Sequence, residues 1–553
     1  MKFDYTFDIV IVGSGGGGLT AALFAKEAGL DVLVIEKTEF YGGSTALSGG
    51  GIWVPNNFVL EKKGIQDSYE KAKKYMESTV GDRVSVEKQE AYLKYAPEMI
   101  KWLKDNANMK YLHMSGYSDY HPDEPGGMVE GRALEAKSFN GGKLKGDYQL
   151  LRPPSIEAPL GIAFSINEYH DLGMIMSTWK GKYVAFKAGI RAIFTSIFRI
   201  KYLTLGRALV ARLRYAMKKR DIPLWVKVPF KDLIVEEGIV KGIIAEKEDK
   251  EIKIEAKKGV LLAAGGFPHN LEMRKKYNPS PTSTEWTSAS PGNTGDAILA
   301  GIKIGAAVDL MDDAWWGPSS VDPEGNAFFH VGERAYPGGI MVNKEGKRFT
   351  NEAASYVTVV HEMYEKNTKE NPHIPSYFIF DQRYRDKYMF GTTFPRMKFP
   401  QEFYDSGYIK KAESISELAK SIGVDGKNLE NTIKQFNEYA ISGKDLDFGK
   451  GNNAYDNYYG DPKYEPNPNL APLEKPPFYA VEFYPGDLGT KGGLMTNEYA
   501  QVLKKDGSII EGLYATGNTM ASVMGHYYPG PGSAVGSTMT FGYIAAKHIA
   551  KKK

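Results

Sequence analysis

The sequence predicts an α/β protein in which a domain built on parallel strands is interrupted by a second, α+β capping domain. Residues 7–12 form an apolar run that leads directly into a glycine-rich turn, as expected for a buried parallel strand. Two further apolar segments, at residues 259–266 and 512–518, also end in glycine turns and predict strands of the same sheet. The chain has 553 residues, too many for one compact core, so we expect at least two domains.

The glycine turn at residues 13–18 lies in the context that a dinucleotide-binding motif requires. A predicted strand precedes it and a predicted helix at residues 19–28 follows it. A second predicted strand at residues 31–36 ends in an acid, Glu36. Strand, turn, helix and acid fall within one unit of the length found in Rossmann-like domains, which makes the motif far more specific than the glycines alone.

Each conserved feature of such a motif has a physical role that these residues can fill. Gly13 permits the tight turn, Gly15 lets the backbone approach a pyrophosphate, and Gly18 lets the helix pack closely on the strand. The amino end of the helix presents N–H groups to the phosphates. Glu36 can accept hydrogen bonds from ribose hydroxyls.

The loop after the second strand indicates which dinucleotide binds. Residues 37–51 read KTEFYGGSTALSGGG. This loop resembles that of the flavoprotein subunits of the fumarate reductase and succinate dehydrogenase superfamily, where it wraps the flavin, so the resemblance implies FAD. Respiratory members carry FAD covalently on a histidine in this loop. No histidine occurs between residues 1 and 112 here, so we predict non-covalent FAD.

Later glycine turns complete the predicted FAD site. They lie at residues 259–266, 292–296 and 512–518, and at the start of a final helix near residue 536. The residues that we assign to FAD binding are Gly13, Ser14, Gly15, Gly16, Gly17, Gly18, Glu36, Lys37, Gly42, Gly43, Ser44, Thr45, Ser48, Gly49, Gly50, Ala264, Gly265, Asp296, Gly517, Asn518, Ala534 and Val535.

These motifs divide the chain into alternating parts of the two domains. We expect the FAD-binding domain to be assembled from three separate stretches, with the substrate-contacting and capping parts between them. The predicted parts are 1–110 (FAD domain, first part), 111–171 (substrate-contacting segment), 172–224 (basic amphipathic insert), 225–310 (FAD domain, second part), 311–484 (substrate and capping domain) and 485–553 (FAD domain, last part).

Composition excludes several other classes of site. The chain has no cysteine, so disulfides, iron–sulfur clusters, thiolate zinc sites and cysteine nucleophiles are excluded, and we assign no metal ligands. The net charge of +3 favours no nucleic-acid partner. No signal peptide is recognisable at the amino terminus, which predicts a cytoplasmic protein.

One segment has a distinct charge pattern. Between Leu172 and Arg220 there are twelve Lys or Arg residues and no acid, with apolar residues interleaved. This pattern is typical of amphipathic helices at a membrane interface, so we expect residues 172–220 to attach the protein to the inner face of the cell membrane. The alternatives are a pair of solvated surface helices and a self-association face.

Three tyrosine contexts carry a second, narrower resemblance. They are residues 116–122 (GYSDYHP), residues 343–356 with Tyr356 at the end, and the closing block 526–546 (HYYPGPGSAVGSTMTFGYIAA), supported by GDLGTKGG at 486–493. Here the sequence resembles the 3-ketosteroid dehydrogenases, particularly the Δ1-dehydrogenases. The resemblance covers nearly the whole chain and is weakest over the basic insert.

That resemblance implies a flavin-dependent 1,2-desaturation. It places the Tyr528 hydroxyl and the Gly532 N–H on the substrate carbonyl oxygen, as an oxyanion hole. Tyr356 takes the C2 proton, assisted by Tyr120, because tyrosine alone is a weak base at neutral pH. The C1 hydride leaves to flavin N5. Tyr117 is the alternative to Tyr120.

Other functions remain open at this point. A Δ4-(5α)-dehydrogenase would use the same flavin and carbonyl site. A fumarate reductase-like enzyme would need an arginine proton donor, for which Arg383 and Arg385 are the candidates, although we interpret both as structural ion-pair formers. A non-catalytic, membrane-recruited flavoprotein that binds a lipid is the third alternative. No residue identifies the electron acceptor, for which a quinone is a candidate.

Overall fold

The computed structural model describes residues 2–154 and 163–552. Residues 155–162, part of the predicted substrate-contacting segment, lie outside the described residues, as do the two terminal residues. The strands, β1 to β21 in chain order, are Tyr5–Val12, Val32–Ile35, Gly51–Trp53, Tyr111–His113, Ala133–Ala136, Phe139–Asn140, Tyr202–Leu203, Leu224–Trp225, Phe230–Glu236, Ile239–Lys247, Lys250–Leu262, Val308–Asp309, Ala314–Val321, Ala327–Phe329, Gly339–Val342, Ser376–Asp381, Ile409–Ala412, Phe478–Thr490, Gly493–Leu494, Gln501–Leu503 and Ile509–Ala515.

The α-helices alternate with these strands and cover both domains. In chain order, α1 to α17 are Gly16–Glu27, Gly43–Leu47, Phe58–Lys62, Tyr69–Thr79, Val86–Ala107, Ile166–Gly173, Trp179–Ile197, Leu205–Lys218, Leu271–Tyr277, Asp296–Lys303, Tyr356–Glu365, Gln382–Lys387, Gln401–Asp405, Ile415–Ile422, Gly426–Ser442, Ala454–Tyr458 and Ser533–Lys551. Among the described residues, no helix is both long and apolar enough to cross a bilayer.

The largest sheet has the strand order β20-β21-β11-β1-β2-β8, with β10 added to β11 and β9 to β10. The central pairs β21-β11, β11-β1, β1-β2 and β2-β8 are parallel. The second half of β1 and all of β2 are buried, which explains their uninterrupted apolar sequences. Strands from three distant parts of the chain therefore share one sheet, and the predicted fold class is confirmed.

The helix after the glycine turn begins earlier than the sequence suggests. It starts at Gly16, inside the glycine run, rather than at residue 19. The N–H of Gly16 donates to Thr45 Oγ1 at 3.0 Å, and this side chain satisfies an N–H that a helix start otherwise leaves unpaired. The first turn can thus be built from glycines, which are poor helix formers in a helix interior.

The second domain is an antiparallel sheet with helices packed against it. Its strand order is β14-β13-β18-β16-β15, with β17 also paired to β18. One face buries aromatic side chains including Phe378, Phe380 and Phe483, while the other packs on α14 and α15 through residues such as Ile340 and Leu429. This domain adjoins the first one around a large cavity.

Candidate active site

A cavity of about 1190 Å³ lies where the two domains meet. One end is lined by the glycine turn, the loop after β2 and the start of α17, and the other end by aromatic residues of the capping domain. A cavity of this size accommodates a dinucleotide together with a multi-ring substrate. Both predicted halves of the site therefore open into the same space.

The glycine turn is shaped by backbone contacts that exclude any side chain. Gly13 has φ +109°, and a Cβ there would lie 2.2 Å from the Ala263 carbonyl oxygen. Gly18 approaches the Gly13 carbonyl oxygen, where a Cβ would lie at the same distance of 2.2 Å. Gly15 instead faces open cavity, where its nearest neighbour is Thr45 Oγ1, at 3.6 Å from a Cβ position. The turn thus leaves bare backbone where a pyrophosphate would lie.

Glu36 is held in place by the residues around it. Ser14 Oγ donates to Glu36 Oε2 at 2.6 Å, and the N–H and Oγ1 of Thr38 donate to Oε1 at 2.9 Å each. Oε1 accepts both bonds from Thr38, whereas Oε2 accepts the one from Ser14, so Oε2 can accept a further hydrogen bond from a ribose hydroxyl. Lys37 is turned away to Thr294 and Asp296, at 2.6 and 2.7 Å, and ties the end of β2 to the start of α10.

The loop after β2 contacts the glycine turn, because the Gly42 N–H donates to Ser14 Oγ at 3.0 Å. Ser44 Oγ accepts hydrogen bonds from the Ser290 N–H at 3.0 Å and from Asn293 Nδ2 at 2.9 Å. Most residues predicted for FAD line the cavity. These are Gly13, Ser14, Gly15, Glu36, Lys37, Gly43, Ser44, Thr45, Ser48, Gly49, Gly50, Ala264, Gly265, Asp296, Gly517, Asn518, Ala534 and Val535.

Four of the predicted residues are not part of this lining and are packed closely against neighbouring atoms. Gly17 faces α17, where a Cβ would lie 2.7 Å from the Thr538 carbonyl oxygen. A Cβ on Gly42 would meet Ala46 and Val210 at 2.8 and 3.0 Å. Gly16 and Gly18 are inside the first turn of α1.

Arg152 is a cavity residue that the sequence motifs did not reveal. Its Nη2 donates to Thr38 Oγ1 at 2.7 Å, but its Nε is buried and has no hydrogen-bond partner among the described residues. A buried cationic N–H without a partner is costly, and an anionic group in the cavity would satisfy it. Together with the bare backbone at Gly15, this unpaired donor fits the diphosphate and ribose of FAD.

At the opposite end, four phenols from three distant parts of the chain meet. The hydroxyls of Tyr120 and Tyr356 are 2.7 Å apart, and Tyr117 lies beyond Tyr120 at 3.4 Å. The Tyr528 ring lies 5.0 Å from the Tyr120 ring and 5.4 Å from the Tyr356 ring. All four tyrosines line the cavity, and it is the Tyr120 hydroxyl, not that of Tyr117, that lies within hydrogen-bond distance of Tyr356.

The Tyr528 loop is fastened on several sides. The Tyr120 N–H donates to the Pro529 carbonyl at 2.9 Å, and the Tyr75 hydroxyl donates to the same oxygen at 2.6 Å. Gly532, with φ +88°, caps the amino end of α17 and packs on β3, where a Cβ would lie 2.2 Å from the Gly51 carbonyl carbon. The loop therefore holds the Tyr528 hydroxyl and the Gly532 amide in fixed relation.

Burial sets the acidity of these phenols. Burial raises the pKa of Tyr120 and of Tyr356 well above the ordinary value, and for Tyr356 the hydrogen bond from Tyr120 acts in the opposite direction. Burial raises the pKa of Tyr528 to about 12, while the Tyr356 hydroxyl and the amides of Gly532 and Ala534 lower it. Tyr528 is therefore a hydrogen-bond donor at neutral pH.

Aromatic residues that the sequence analysis did not assign complete this end. Trp315 packs edge-on against Tyr528 at 4.7 Å and donates from Nε1 to Asn518 Oδ1 at 2.9 Å. Tyr455 and Tyr458 lie on α16. Tyr458 stacks on Tyr117 at 4.3 Å. The Asn453 side chain caps α16 by accepting a hydrogen bond from the Asp456 N–H, so the start of this helix has a local sequence signal.

Phenylalanines make much of the remaining cavity wall apolar. Phe329, Phe390, Phe394, Phe399 and Phe403 line it. The two arginines considered as proton donors do not line it. Arg385 donates to the carbonyls of Tyr388 and Met397, and Arg383 to that of Pro337, so they bind backbone rather than the acids expected of ion-pair formers.

Comparison with known proteins agrees with this geometry. The family model described as "FAD binding domain" matches residues 8–535. The chain is 45% identical to a 3-oxosteroid 1-dehydrogenase of Mycobacterium tuberculosis, over 98% of each chain. It is 33% identical to a 4-oxocyclohexanecarboxylate 2-dehydrogenase of Sinomonas cyclohexanicum, over 99% of this chain and 93% of that one.

A solved structure matches over the whole length. It is the 3-ketosteroid Δ1-dehydrogenase of Sterolibacterium denitrificans in complex with 1,4-androstadiene-3,17-dione. The TM-score is 0.95 at 38% identity, and the match covers 99% of this chain and 100% of that one.

Proposed function

Because the chain belongs to the family of FAD-dependent flavoproteins that includes the 3-oxosteroid 1-dehydrogenases, we propose that it desaturates the C1–C2 bond of a 3-ketosteroid. The chain is an FAD-dependent oxidoreductase, as the sequence predicted. One observation carries the finer proposal: Tyr528, Gly532, Tyr356 and Tyr120 meet at one end of the cavity whose other end is built for a dinucleotide.

The first step is binding of the substrate carbonyl. The Tyr528 hydroxyl and the Gly532 N–H donate to the C3 oxygen, and they stabilise the negative charge that develops there as C2 loses a proton. Because the Tyr528 pKa is raised to about 12, this phenol keeps its proton and remains a donor. Trp315, packed against the Tyr528 ring, limits its movement.

The second step is removal of the C2 proton. The Tyr356 oxygen accepts it, while the Tyr120 hydroxyl, 2.7 Å away, donates to that oxygen and favours its charged form. Tyr117 extends the chain of hydroxyls away from the substrate. Bound FAD would supply the acceptor for the hydride that leaves C1. The two losses together create the C1–C2 double bond.

Turnover with androst-4-ene-3,17-dione and a dye acceptor tests this proposal. We expect androsta-1,4-diene-3,17-dione as the product. Formation of a Δ4 product from a 5α-steroid without any Δ1 product would support the Δ4-dehydrogenase instead, and reduction of fumarate would support the dicarboxylate enzyme. Absence of turnover with androst-4-ene-3,17-dione, the 5α-steroid and fumarate would support a flavoprotein that binds lipid without converting it.

Each turnover removes two electrons, and a second substrate has to collect them. We propose a quinone, because the cavity lies close to α7, whose outward face is apolar and suited to contact with a membrane that holds quinones. Stopped-flow reoxidation of the substrate-reduced enzyme by menadione should be faster than by dissolved oxygen at equal concentration. Equal rates would contradict a quinone acceptor.

A further inference from the structure

The basic insert contains one helix whose outward face is apolar. Helix α7 packs on the protein through Gly181, Val184 and Ala188, and presents its opposite side to solvent. Large apolar residues dominate that side, with exposed fractions between 52% and 84%. They are Trp179, Tyr183, Phe186, Ile190, Ile193, Phe194 and Ile197.

These seven positions form a single stripe. At 100° per residue they fall within about 100° of one another, directly opposite the packed face. A surface helix normally directs its polar side to water, so α7 has the reverse arrangement. A contiguous exposed patch of this kind marks an interaction surface.

Exposed cations lie along both edges of the stripe. Measured around the helix axis from Trp179, which is near the centre of the stripe, Lys182 lies about 60° to one side and Lys187 about 80° to the other. The Lys182 ammonium is 4.7 Å from the centre of the Trp179 ring. Arg199 and Lys201 are exposed just beyond the end of α7. Long basic side chains beside apolar ones suit the boundary between acyl chains and anionic headgroups, with the ammonium groups reaching the headgroups.

The second helix of the basic insert, α8, has no exposed apolar face. Helix α8 is built into the body of the protein, where Leu209, Val210 and Leu213 are buried. Three of its cations are engaged internally: Arg214 and Lys218 pair with Asp147 at 2.8 and 3.0 Å, and Arg212 donates to backbone carbonyls. The sequence pattern grouped both helices together, but only α7 has a free apolar face.

We propose that α7 inserts its apolar stripe into the interface of an anionic phospholipid bilayer. Helix α7 lies next to the cavity wall: its Arg191 pairs with Glu168 of α6 at 2.8 Å, and Ile166 and Tyr169 of α6 line the cavity. A bilayer contact on α7 therefore places the cavity close to the source of a lipophilic ketone. This last consequence rests on the proposed function.

Vesicle co-sedimentation of the holoenzyme tests the surface directly. We expect binding to vesicles of phosphatidylcholine and phosphatidylglycerol, and a loss of about tenfold or more for Phe186→Ser/Ile190→Ser/Ile193→Ser. Ile441→Ser/Leu446→Ser is the matched control, because these residues are exposed to 68% and 76% elsewhere. Both variants should retain the yellow flavin and turnover of a water-soluble steroid.

The contribution of the lysines to vesicle binding is tested separately. Lys182→Glu/Lys187→Glu should weaken binding to anionic vesicles, and Lys427→Glu/Lys434→Glu, also exposed on a helix, should not. If the triple serine variant binds vesicles as well as the wild type, the proposal is wrong. A wild-type oligomer that dissociates on this triple substitution, without any vesicle binding, would show instead that α7 joins two copies.

A second, independent inference concerns a buried cation behind the tyrosines. Arg334 is 1% exposed and does not line the cavity. Its guanidinium donates to the backbone carbonyls of His330 at 3.1 Å, Glu352 at 2.5 Å and Ala354 at 3.3 Å. Its hydrogen-bond partners are thus neutral carbonyls, and Ala354 is two residues before the proposed base, Tyr356.

Buried charges are normally paired with an opposite charge, so a guanidinium solvated by carbonyls is an unusual choice. The neighbouring carboxyl, Glu333, is itself buried, which raises its pKa to about 7 and leaves it largely protonated below neutrality. The titratable and charged groups around Tyr356 are Tyr117, Tyr120, Tyr455, Tyr528 and Arg334, with Glu333 beside Arg334 and Asp456 beside Tyr455.

The geometry points to Arg334 as a positioning residue that makes the phenol cluster a better proton acceptor by supplying a fixed positive potential. Phenolate formation at Tyr356 places a negative charge in a buried site, and a nearby buried cation offsets its cost. The proton transfer itself stays between C2 and the Tyr356 oxygen. This inference rests on the proposed function, but its main test does not require turnover.

Ultraviolet titration of tyrosinate in the substrate-free holoenzyme measures how readily the tyrosines lose their protons. The difference between the wild type and Tyr356→Phe gives the contribution of Tyr356. Arg334→Met should move that contribution to higher pH and lower kcat/KM at neutral pH by about a hundredfold, as a shift of about two pH units implies. Arg334→Lys keeps the charge and should recover most of the loss. Glu333→Gln removes the adjacent acid and should move the titration the other way.

Unchanged titration in both Arg334→Met and Glu333→Gln would overturn the inference. So would an Arg334→Lys variant displaced as far as Arg334→Met, since shape rather than charge would then matter. If the titration shifts as expected but no ketosteroid is converted, the electrostatic role stands and the proposed function fails.

Discussion

The Tyr356 hydroxyl lies 2.7 Å from the Tyr120 hydroxyl, although 236 positions separate the two residues in the chain. Tyr356 is the first residue of α11 in the capping domain, whereas Tyr120 lies in a loop fastened to the Pro529 carbonyl. Two domains therefore have to dock before this pair exists. Such a hydrogen bond between buried phenols is a means of stabilising a phenolate during proton transfer.

Replacing Tyr356 by Phe should remove the proposed base. We expect kcat for a 3-ketosteroid to fall by about 10³-fold, within the range of general base catalysis. FAD content should not change, because Tyr356 lies at the substrate end of the cavity. Steady-state kinetics and the flavin absorbance of the purified variant check both points, and a loss of less than tenfold would exclude Tyr356 as the base.

Replacing Tyr120 by Phe should shift the pH profile. The Tyr120 hydroxyl lowers the pKa of Tyr356, so its removal raises that pKa. Because activity requires the deprotonated base, the rise of kcat/KM with pH should move to higher pH, and activity near neutrality should fall. Tyr117→Phe is the control, with a smaller shift expected, since Tyr117 is one hydroxyl further from Tyr356. Profiles that superimpose would show that Tyr120 is not coupled to the base.

Replacing Tyr528 by Phe should remove one of two donors to the carbonyl oxygen. A loss of about 10²- to 10³-fold in kcat is expected from the removal of one oxyanion-hole donor. The protein should stay yellow. Since the donor is needed most in the transition state, kcat should fall more than KM rises, and the opposite pattern would contradict an oxyanion role.

Gly532→Ala should destabilise the protein. The added Cβ would lie 2.2 Å from the Gly51 carbonyl carbon, in a backbone conformation with φ +88°. We expect about 2–4 kcal/mol from the clash and the strained backbone. Gly305→Ala is a matched control, with φ +92° and open space around the Cβ, and should cost about 1 kcal/mol. Thermal unfolding of both variants distinguishes these contributions, and equal losses would show that no clash occurs.

Arg152→Met should weaken FAD binding by about tenfold, the value of one charge-assisted hydrogen bond. Arg152 has an unpaired buried Nε at the dinucleotide end of the cavity. Arg383→Met is the control, because Arg383 does not line the cavity. Flavin fluorescence on dilution measures the released cofactor, and equal release from both variants would refute a direct contact.

The FAD half of the site was predictable because its signals are local. Gly13 to Gly18 and Glu36 belong to one strand-turn-helix-strand unit, so their spacing along the chain already implies their spacing in space. Where the prediction differed, tertiary contacts explain it: Thr45 satisfies the N–H of Gly16 and lets α1 begin within the glycines. Arg152 was missed because it reaches Thr38 from more than a hundred residues away.

The substrate half was assigned by resemblance, and the roles of its four residues stay predictions. The structure adds what no local pattern carries: the hydrogen bond between Tyr120 and Tyr356, the contact of Trp315 with Tyr528, and the buried charge of Arg334 behind them. Each depends on side chains that meet only after the domains pack.

The sequence by itself determined the α/β fold class and the dinucleotide turn, because strand burial and glycine backbone conformation are properties of short segments. It also revealed a basic stretch without acids, but not which of its two helices has an exposed apolar face. Only the tertiary structure decided that α8 is buried while α7 faces outward, and that three distant tyrosines share one cavity. Burial and long-range contact are set by what packs against a segment, and that partner is absent from the segment's own sequence.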